Sequence, residues 1–257
     1  MFSVISFNIN SIRARLHIVQ QIIENEKPDV LLLQEIKMEK IDELIDFFHT
    51  IGYNITAIGQ KSYNGVAIVS KSRAEDVIKG LPTFAEDPNA RFIQAVIDNT
   101  LFINVYMPNG QDIGSEKFFY KMEWTKKFSE YIETVKGEYD NIVIAGDFNI
   151  VLASQDVYDE KIIKNLAIYS DEAKKFMTDW TADGWTNIFR FLYPTKNSYT
   201  WWSYRNTRRD LNKGICLDYF LTTKNLVGKV RSMEILTEYR LLEKPSDHTP
   251  IKLTLDI

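Results

Sequence analysis

Short apolar runs alternate with amphipathic stretches along most of the chain. Phe2 to Phe7 reads as a buried strand. Between Arg13 and Glu26, Leu16, Val19, Ile22 and Ile23 recur at helical spacing, and Pro28-Asp29 ends that helix before the strand Val30 to Gln34. A second helix places Ile41, Leu44, Ile45 and Phe48 on one face. Strand patterns follow at Tyr53 to Ile58, Gly65 to Ser70, Asp76 to Lys79, Phe92 to Ile97 and Leu101 to Tyr106. The break at Asp98-Asn99-Thr100 predicts a hairpin between the last two. Glu116 to Val135 is a long amphipathic helix and Asn141 to Ala145 a buried strand. Lys161 to Asp183 reads as mostly helical, whereas Asn197 to Gly214 is polar, aromatic and loop-like. Leu217 to Thr222, Lys229 to Leu236 and His248 to Asp256 return to strand, and no internal repeat interrupts the series.

Many strands separated by a few helices predict a two-layer β core covered by helices, with the chemistry-bearing residues where strands end. A chain of 257 residues with 45% hydrophobic content buries a substantial core, so one domain over residues 1–257 is expected. With 31 basic against 35 acidic residues, no global positive field draws in polyanions, and nucleic-acid binding requires a local patch. The single cysteine, Cys216, excludes an internal disulfide. The first residues lack the basic and apolar regions of a signal peptide, and the apolar runs are too short to cross a bilayer, so a cytoplasmic protein without a membrane partner is expected.

The candidate chemistry is a set of acids, amides and one imidazole. Magnesium takes oxygen ligands, usually one or two carboxylates with water and substrate phosphate. Glu35 follows the apolar strand Val30 to Gln34 and Asn8 follows the first strand; alone, the first is an ordinary solvated acid and the second a turn former. Asp147 and Asn149 in Gly146-Asp147-Phe148-Asn149 are two apart, so in extended backbone they face the same way and can address one phosphate or water. His248 is one of three histidines, and a neighbouring carboxylate would hold it in one tautomer and favour its cation. Asp218 is the candidate partner. Asp247, adjacent in sequence, points elsewhere in strand geometry and is read as a metal or water ligand. Tyr106 ends a strand, while His17 and His49 lie within helical patterns and are read as structural.

The order and context of these residues carry more than each alone. Phe7-Asn8-Ile9-Asn10 with Arg13-Ala14-Arg15, Leu33-Gln34-Glu35, Tyr106-Met107-Pro108-Asn109, Gly146-Asp147-Phe148-Asn149, the stretch Tyr199 to Arg205, Leu217-Asp218-Tyr219 and Ser246-Asp247-His248 resemble the exonuclease III family of apurinic/apyrimidinic endonucleases over nearly the whole chain. The resemblance implies a four-layer α/β sandwich, two β-sheets packed face to face and flanked by helices. It implies a phosphodiester hydrolase that uses Mg²⁺, with Mn²⁺ as a substitute, and cuts duplex DNA carrying abasic or 3′-blocked lesions. Glu35 would be the principal metal ligand, with Asn8 nearby and Asp247 at a second or alternative position. Asp147 would position or deprotonate water, Asn149 would orient it, and both, like His248, fall within the metal-site set. His248 paired with Asp218 would contact the scissile phosphate, and Tyr106 would stabilise it or assist the leaving group.

Trp201 and Trp202 match the family's paired aromatics beside an extruded abasic sugar, and Asn109 and Asn165 its phosphate-contacting amides. Arg205, Arg208 and Arg209 supply the local basic patch that the overall charge withholds. Ile215-Cys216 stands where several members carry Trp-Arg, and Asn109-Gly110-Gln111-Asp112 lacks an arginine found in some relatives. The alternative is a superfamily phosphodiesterase acting on another substrate, such as general DNA or a phospholipid headgroup. A monomer is expected.

Overall fold

The central strands form where apolar residues run consecutively, because both of their faces are covered. The computed structural model describes residues 1–204 and 210–257. The chain runs through β1 (Phe2–Asn8), α1 (Ile12–Glu26), β2 (Val30–Gln34), α2 (Asp42–Thr50), β3 (Asn54–Ile58), β4 (Val66–Ser70), β5 (Glu75–Lys79), β6 (Phe92–Ile97) and β7 (Thr100–Tyr106). It continues with α3 (Glu116–Lys136), β8 (Ile142–Asp147), α4 (Asp171–Ala182), β9 (Thr186–Asn187), α5 (Ile188–Leu192), β10 (Asp218–Thr222), α6 (Lys224–Val227), β11 (Val230–Ile235) and β12 (Ile251–Leu255). Among the described residues the strands make two six-stranded sheets, ordered β11-β12-β1-β2-β4-β3 and β5-β6-β7-β8-β10-β9.

The sheets pack face to face through Leu32, Val66 and Ile68 of the first and Ala95, Phe102, Val143 and Phe220 of the second. Outside them, α1 and α2 cover the first sheet with Ile18, Val19, Ile22 and Phe48. On the other side, α3 and α4 cover the second with Trp124, Phe128, Ile132, Met177 and Trp180. Helix, sheet, sheet and helix make four layers, as the family resemblance implied. One polar link crosses the apolar middle: Gln34 Nε2 donates to Asn104 Oδ1 at 2.7 Å, and Asn104 Nδ2 donates to the carbonyls of Leu33 and Ala67. These buried amides fix β2 against β7, because a slip would leave them unpaired at about 1–3 kcal/mol each.

Local signals explain most boundaries. Asp98 and Asn99 take φ of 47° and 60°, the pair of left-handed residues that a tight hairpin between β6 and β7 needs. Ser115 caps α3 by accepting from Phe118 N, with Glu116 in the first turn and Lys136 in the last. The stretch expected to be helical from Lys161 to Asp183 is α-helical only over Asp171–Ala182, where Ser170 caps the start. Upstream lie short 3₁₀ turns at Glu160–Ile162 and Ala167–Tyr169. Their apolar residues do not build a helical stripe; they turn into the cleft described below. The last strand begins at Ile251 rather than His248, after Pro250, which has no N–H for a ladder.

Candidate active site

Strand direction gathers the site. β1 runs parallel to β2, and β7 to β8, so Asn8, Gln34, Tyr106 and Asp147 all sit at one edge of the sandwich. β10 and β12 run antiparallel to β8 and β1, which brings the start of β10 and the segment before β12 to the same edge. Asp218 therefore stands directly opposite Asp147. Gly146 makes that last step of β8 possible. It holds a φ of 147°, and a Cβ there would collide with the Val105 carbonyl.

Within the cluster, Asn8 Nδ2 donates to Glu35 Oε1 and to Asp147 Oδ2, each at 3.0 Å. His248 Nδ1 lies 2.8 Å from Asp218 Oδ2, and its Nε2 lies 3.5 Å from Asp147 Oδ2. Asp247 does point elsewhere: its carboxylate accepts from Asn10 Nδ2 at 2.9 Å and from Trp201 Nε1 at 3.1 Å. The segment around Thr200 sews these parts together. Its hydroxyl accepts from the N–H groups of Leu217 and Asp218, and its carbonyl accepts from Thr249 N. Ser246 Oγ donates to the Asn8 carbonyl and accepts from His248 N, tying β1 to the histidine.

Burial sets the charges. Burial alone would push the His248 imidazole down, but the carboxylates of Asp218, Asp147 and Asp247 outweigh it and raise its pKa to about 10. Burial pushes Asp147 up to about 7, against the opposing pull of the His248 charge. Burial also works against Glu35, but hydrogen bonds from Lys37 and Asn8 hold its carboxyl below the ordinary range. Asp247 is held low in the same way, by His248, Asn10 and Trp201 acting against burial. Tyr106 is pushed well above the usual phenol range by burial and by the charges of Glu35 and Asp147, so its hydroxyl stays a neutral donor.

These groups line a cleft of about 620 Å³. Its polar floor presents Glu35, Tyr106, Asn109, Asp147, Asn149, Asp247 and His248. One wall is apolar, built from Ile162, Ile163, Leu166, Ile168, Ile215 and Leu217 with Trp201. Ile215, which stands where several family members carry Trp, thus forms part of the wall. Cys216 turns away into the core, with its thiol pushed up to about 12 by burial.

Several expected residues stand differently. Trp202 does not line the cleft: it is 2% exposed, donates through Nε1 to the Leu211 carbonyl and packs beneath Arg240. Adjacent residues in an extended segment face opposite ways, so only Trp201 reaches the site. Asn149 is left-handed (φ 50°) rather than extended, and its N–H bonds Asp147 Oδ1 at 2.9 Å; a tight turn, not strand alternation, puts both in the cleft. Its amide is engaged by Asn109 Nδ2 and the Met107 carbonyl. Asn8 faces the acids with its NH₂ group, while its oxygen accepts from Asn10 N, so it organises the carboxylates instead of offering them oxygen. Asn165 is exposed and outside the cleft lining. Arg205, Arg208 and Arg209 lie outside the described residues.

Sequence reasoning missed Asn10, Lys37 and Lys121. Lys121 is fully buried in α3, where its ammonium donates to the carbonyls of Pro108 and Asn149 at 2.8 and 2.9 Å and so fastens the two loops that carry Asn109 and Asn149. Burial lowers its pKa to about 7. Its place in an amphipathic helix gave no sign of this.

Among the described residues no three His, Cys, Asp or Glu side chains converge as a ready chelate. A hard divalent ion does not require one, since water and substrate complete its shell. The donor set suits such an ion: the carboxylates of Glu35, Asp147 and Asp247 line one cleft together with the His248 imidazole, and Glu35 already holds an ammonium, that of Lys37, at 2.8 Å.

A two-sheet sandwich thus carries an acid-paired imidazole and buried carboxylates at shared strand ends, a set of groups suited to hydrolytic chemistry. The profile of the Endonuclease/Exonuclease/phosphatase family matches residues 5–248, and the chain belongs to that family. Exodeoxyribonuclease III of Haemophilus influenzae is 33% identical over 259 residues, covering 96% of this chain and 97% of that protein. The structure of the 3′ phosphatase NExo from Neisseria, bound to a product DNA hairpin, superposes with a TM-score of 0.96 at 32% identity and 100% coverage of both chains. An AP endonuclease from Archaeoglobus fulgidus gives a TM-score of 0.94 at 34% identity, again with 100% coverage of both chains.

Proposed function

We propose that residues 1–257 form one catalytic domain of a Mg²⁺-dependent DNA repair nuclease of the exonuclease III type. It hydrolyses the phosphodiester 5′ to abasic sites in duplex DNA and trims 3′ ends. The observation that carries this reading is a single cleft joining the His248–Asp218 pair and Asp147 to an apolar wall. Chemistry and a base-free sugar are served side by side, and a site without its base costs little to extrude.

Within this reading, Asp147 orients and deprotonates the attacking water. His248, held by Asp218 as a cation, donates to a phosphoryl oxygen as charge develops. Tyr106 donates its hydroxyl to the phosphate. Asn149, fixed by Asn109, orients the water. Glu35 and Asp247 would hold the divalent ion, Mg²⁺ or Mn²⁺ in its place, and that ion would supply Lewis-acid character at the phosphate. Trp201 packs on the abasic sugar. Asn109 and Asn165 meet flanking phosphates, and Arg205, Arg208 and Arg209 supply the basic patch. The enzyme works as a cytoplasmic monomer.

A labelled duplex with one abasic analogue, incubated with Mg²⁺ or with EDTA, tests the proposal. One incision 5′ to the analogue, absent with EDTA and rare in undamaged duplex, is expected. Equal cutting of both duplexes would instead make the chain a structure-indifferent nuclease.

A further inference from the structure

Three side chains converge at the rim of the cleft from a backbone folded in an unusual way. Asn10, Glu35 and Lys37 have φ of 48°, 53° and 50°, the left-handed region that residues with a Cβ seldom occupy. Such conformations persist where surrounding bonds impose them. Here Ser11 N and Ile12 N donate to the carbonyls of Glu35 and Ile36 from one side. On the other side Ile36 N and Lys37 N donate to the carbonyls of Gly65 and Asn64. The kinked segment is pinned between two loops, and the turn at residue 36 swings Glu35 and Lys37 toward each other.

The Lys37 ammonium sits 2.8 Å from Glu35 Oε2 and 2.5 Å from Asn10 Oδ1. Asn10 in turn donates through Nδ2 to Asp247 Oδ1 at 2.9 Å. The positive charge therefore lies on one carboxylate and reaches the second through a single amide. These are the two carboxylates assigned above to the divalent ion.

We propose that Lys37 is a resident cation that occupies the metal seat on Glu35 and must be displaced when a divalent ion binds, so that this lysine sets the affinity of the site for metal. The inference rests on the divalent-metal reading of the site. An ammonium and a divalent ion cannot share one carboxylate edge, because at about 4 Å their repulsion is of the same order as the attraction each has for the acid. The four-carbon stem of lysine lets the ammonium leave without moving the pinned backbone. With its side chain 27% exposed, Lys37 has solvent to move into. In the absence of metal it satisfies Glu35; in its presence it is a competitor.

The test is Mn²⁺ binding by the full chain without DNA, read from the electron paramagnetic resonance signal of free Mn²⁺. Lys37→Met is expected to tighten binding roughly fivefold, the upper end of the effect that removal of a competing, partly exposed ion pair produces. Lys37→Arg, which keeps the charge, and Lys61→Met, at an exposed lysine elsewhere, are expected to stay within about twofold of the parent. Should Lys37→Met not fold, judged by thermal melting, Lys37→Gln carries the same expectation. An unchanged or weaker Mn²⁺ affinity in the neutral variant, or an equal gain in Lys61→Met, overturns the proposal. This readout needs no DNA cutting, so a failure of the nuclease reading registers in the abasic-duplex assay and a failure of the displacement reading registers here.

Discussion

His248 Nδ1 lies 2.8 Å from Asp218 Oδ2, which leaves Nε2 turned toward Asp147 at 3.5 Å. The aspartate behind the ring thus decides which nitrogen faces the cleft. His248→Ala and Asp218→Ala are each expected to lower kcat/KM by about 10²–10⁴-fold. Because they disable one unit, the double variant should be little worse than the worse single one. Losses that multiply would separate the two residues.

The pH profile follows from the same pair and from Asp147. Asp147 is proposed to act as a carboxylate, and burial raises its pKa to about 7, so activity should fall as pH drops through that value. His248, proposed to act as a cation, has a pKa raised to about 10, so activity should fall again as pH rises past it. A bound divalent ion would move the acid limb lower. Measured at saturating Mg²⁺, kcat/KM should be bell-shaped; a profile still climbing above pH 10 would remove the imidazolium from the mechanism.

Glu35→Ala should raise the Mg²⁺ concentration for half-maximal cutting and lower the rate by orders of magnitude, with the melting temperature nearly unchanged. Its carboxylate, though mostly buried, lines the cleft and is not part of the apolar core. Full activity at ordinary Mg²⁺ would exclude Glu35 from the metal site.

The adjacent tryptophans should separate cleanly. Trp201→Ala removes cleft wall and should weaken abasic incision by about 1–3 kcal/mol while sparing affinity for intact duplex. Trp202→Ala removes core and should cost about 3–5 kcal/mol of stability, with the rate per folded molecule closer to the parent. Urea unfolding beside abasic-duplex kinetics checks both. A stable, inactive Trp202→Ala would reverse the assignment.

How far the sequence could be read depends on the kind of signal. The strands carrying Asn8, Asp147 and Asp218 announce themselves as apolar runs, and their ends are where the acids fall. The pairing of His248 with Asp218 follows once Asp247 is seen to point away. Periodicity failed where the fold uses apolar residues for something other than a helix stripe: Ile162, Ile163, Leu166 and Ile168 mimic a helix but line the cleft. It could not rank Trp201 against Trp202, since composition is blind to which of two neighbours faces inward. Lys37 and Lys121 were invisible for a different reason. Lysine is the residue least expected to be held in place, and only the opposing carbonyls and acids, contributed by distant loops, reveal what each one holds.

Asn8 bonds Asp147 across 139 positions of chain, and Ser246 bonds Asn8 across 238. Contacts so remote in sequence form late, since loop closure must be overcome before they stabilise anything. Both sheets have to dock before a single carboxylate meets its amide. Partly folded chains, however much secondary structure they contain, should therefore be unable to cut DNA. Recovery of incision after dilution from denaturant should lag behind recovery of the helical and strand signal, which makes the enzyme's own activity a clock for the final step of its folding.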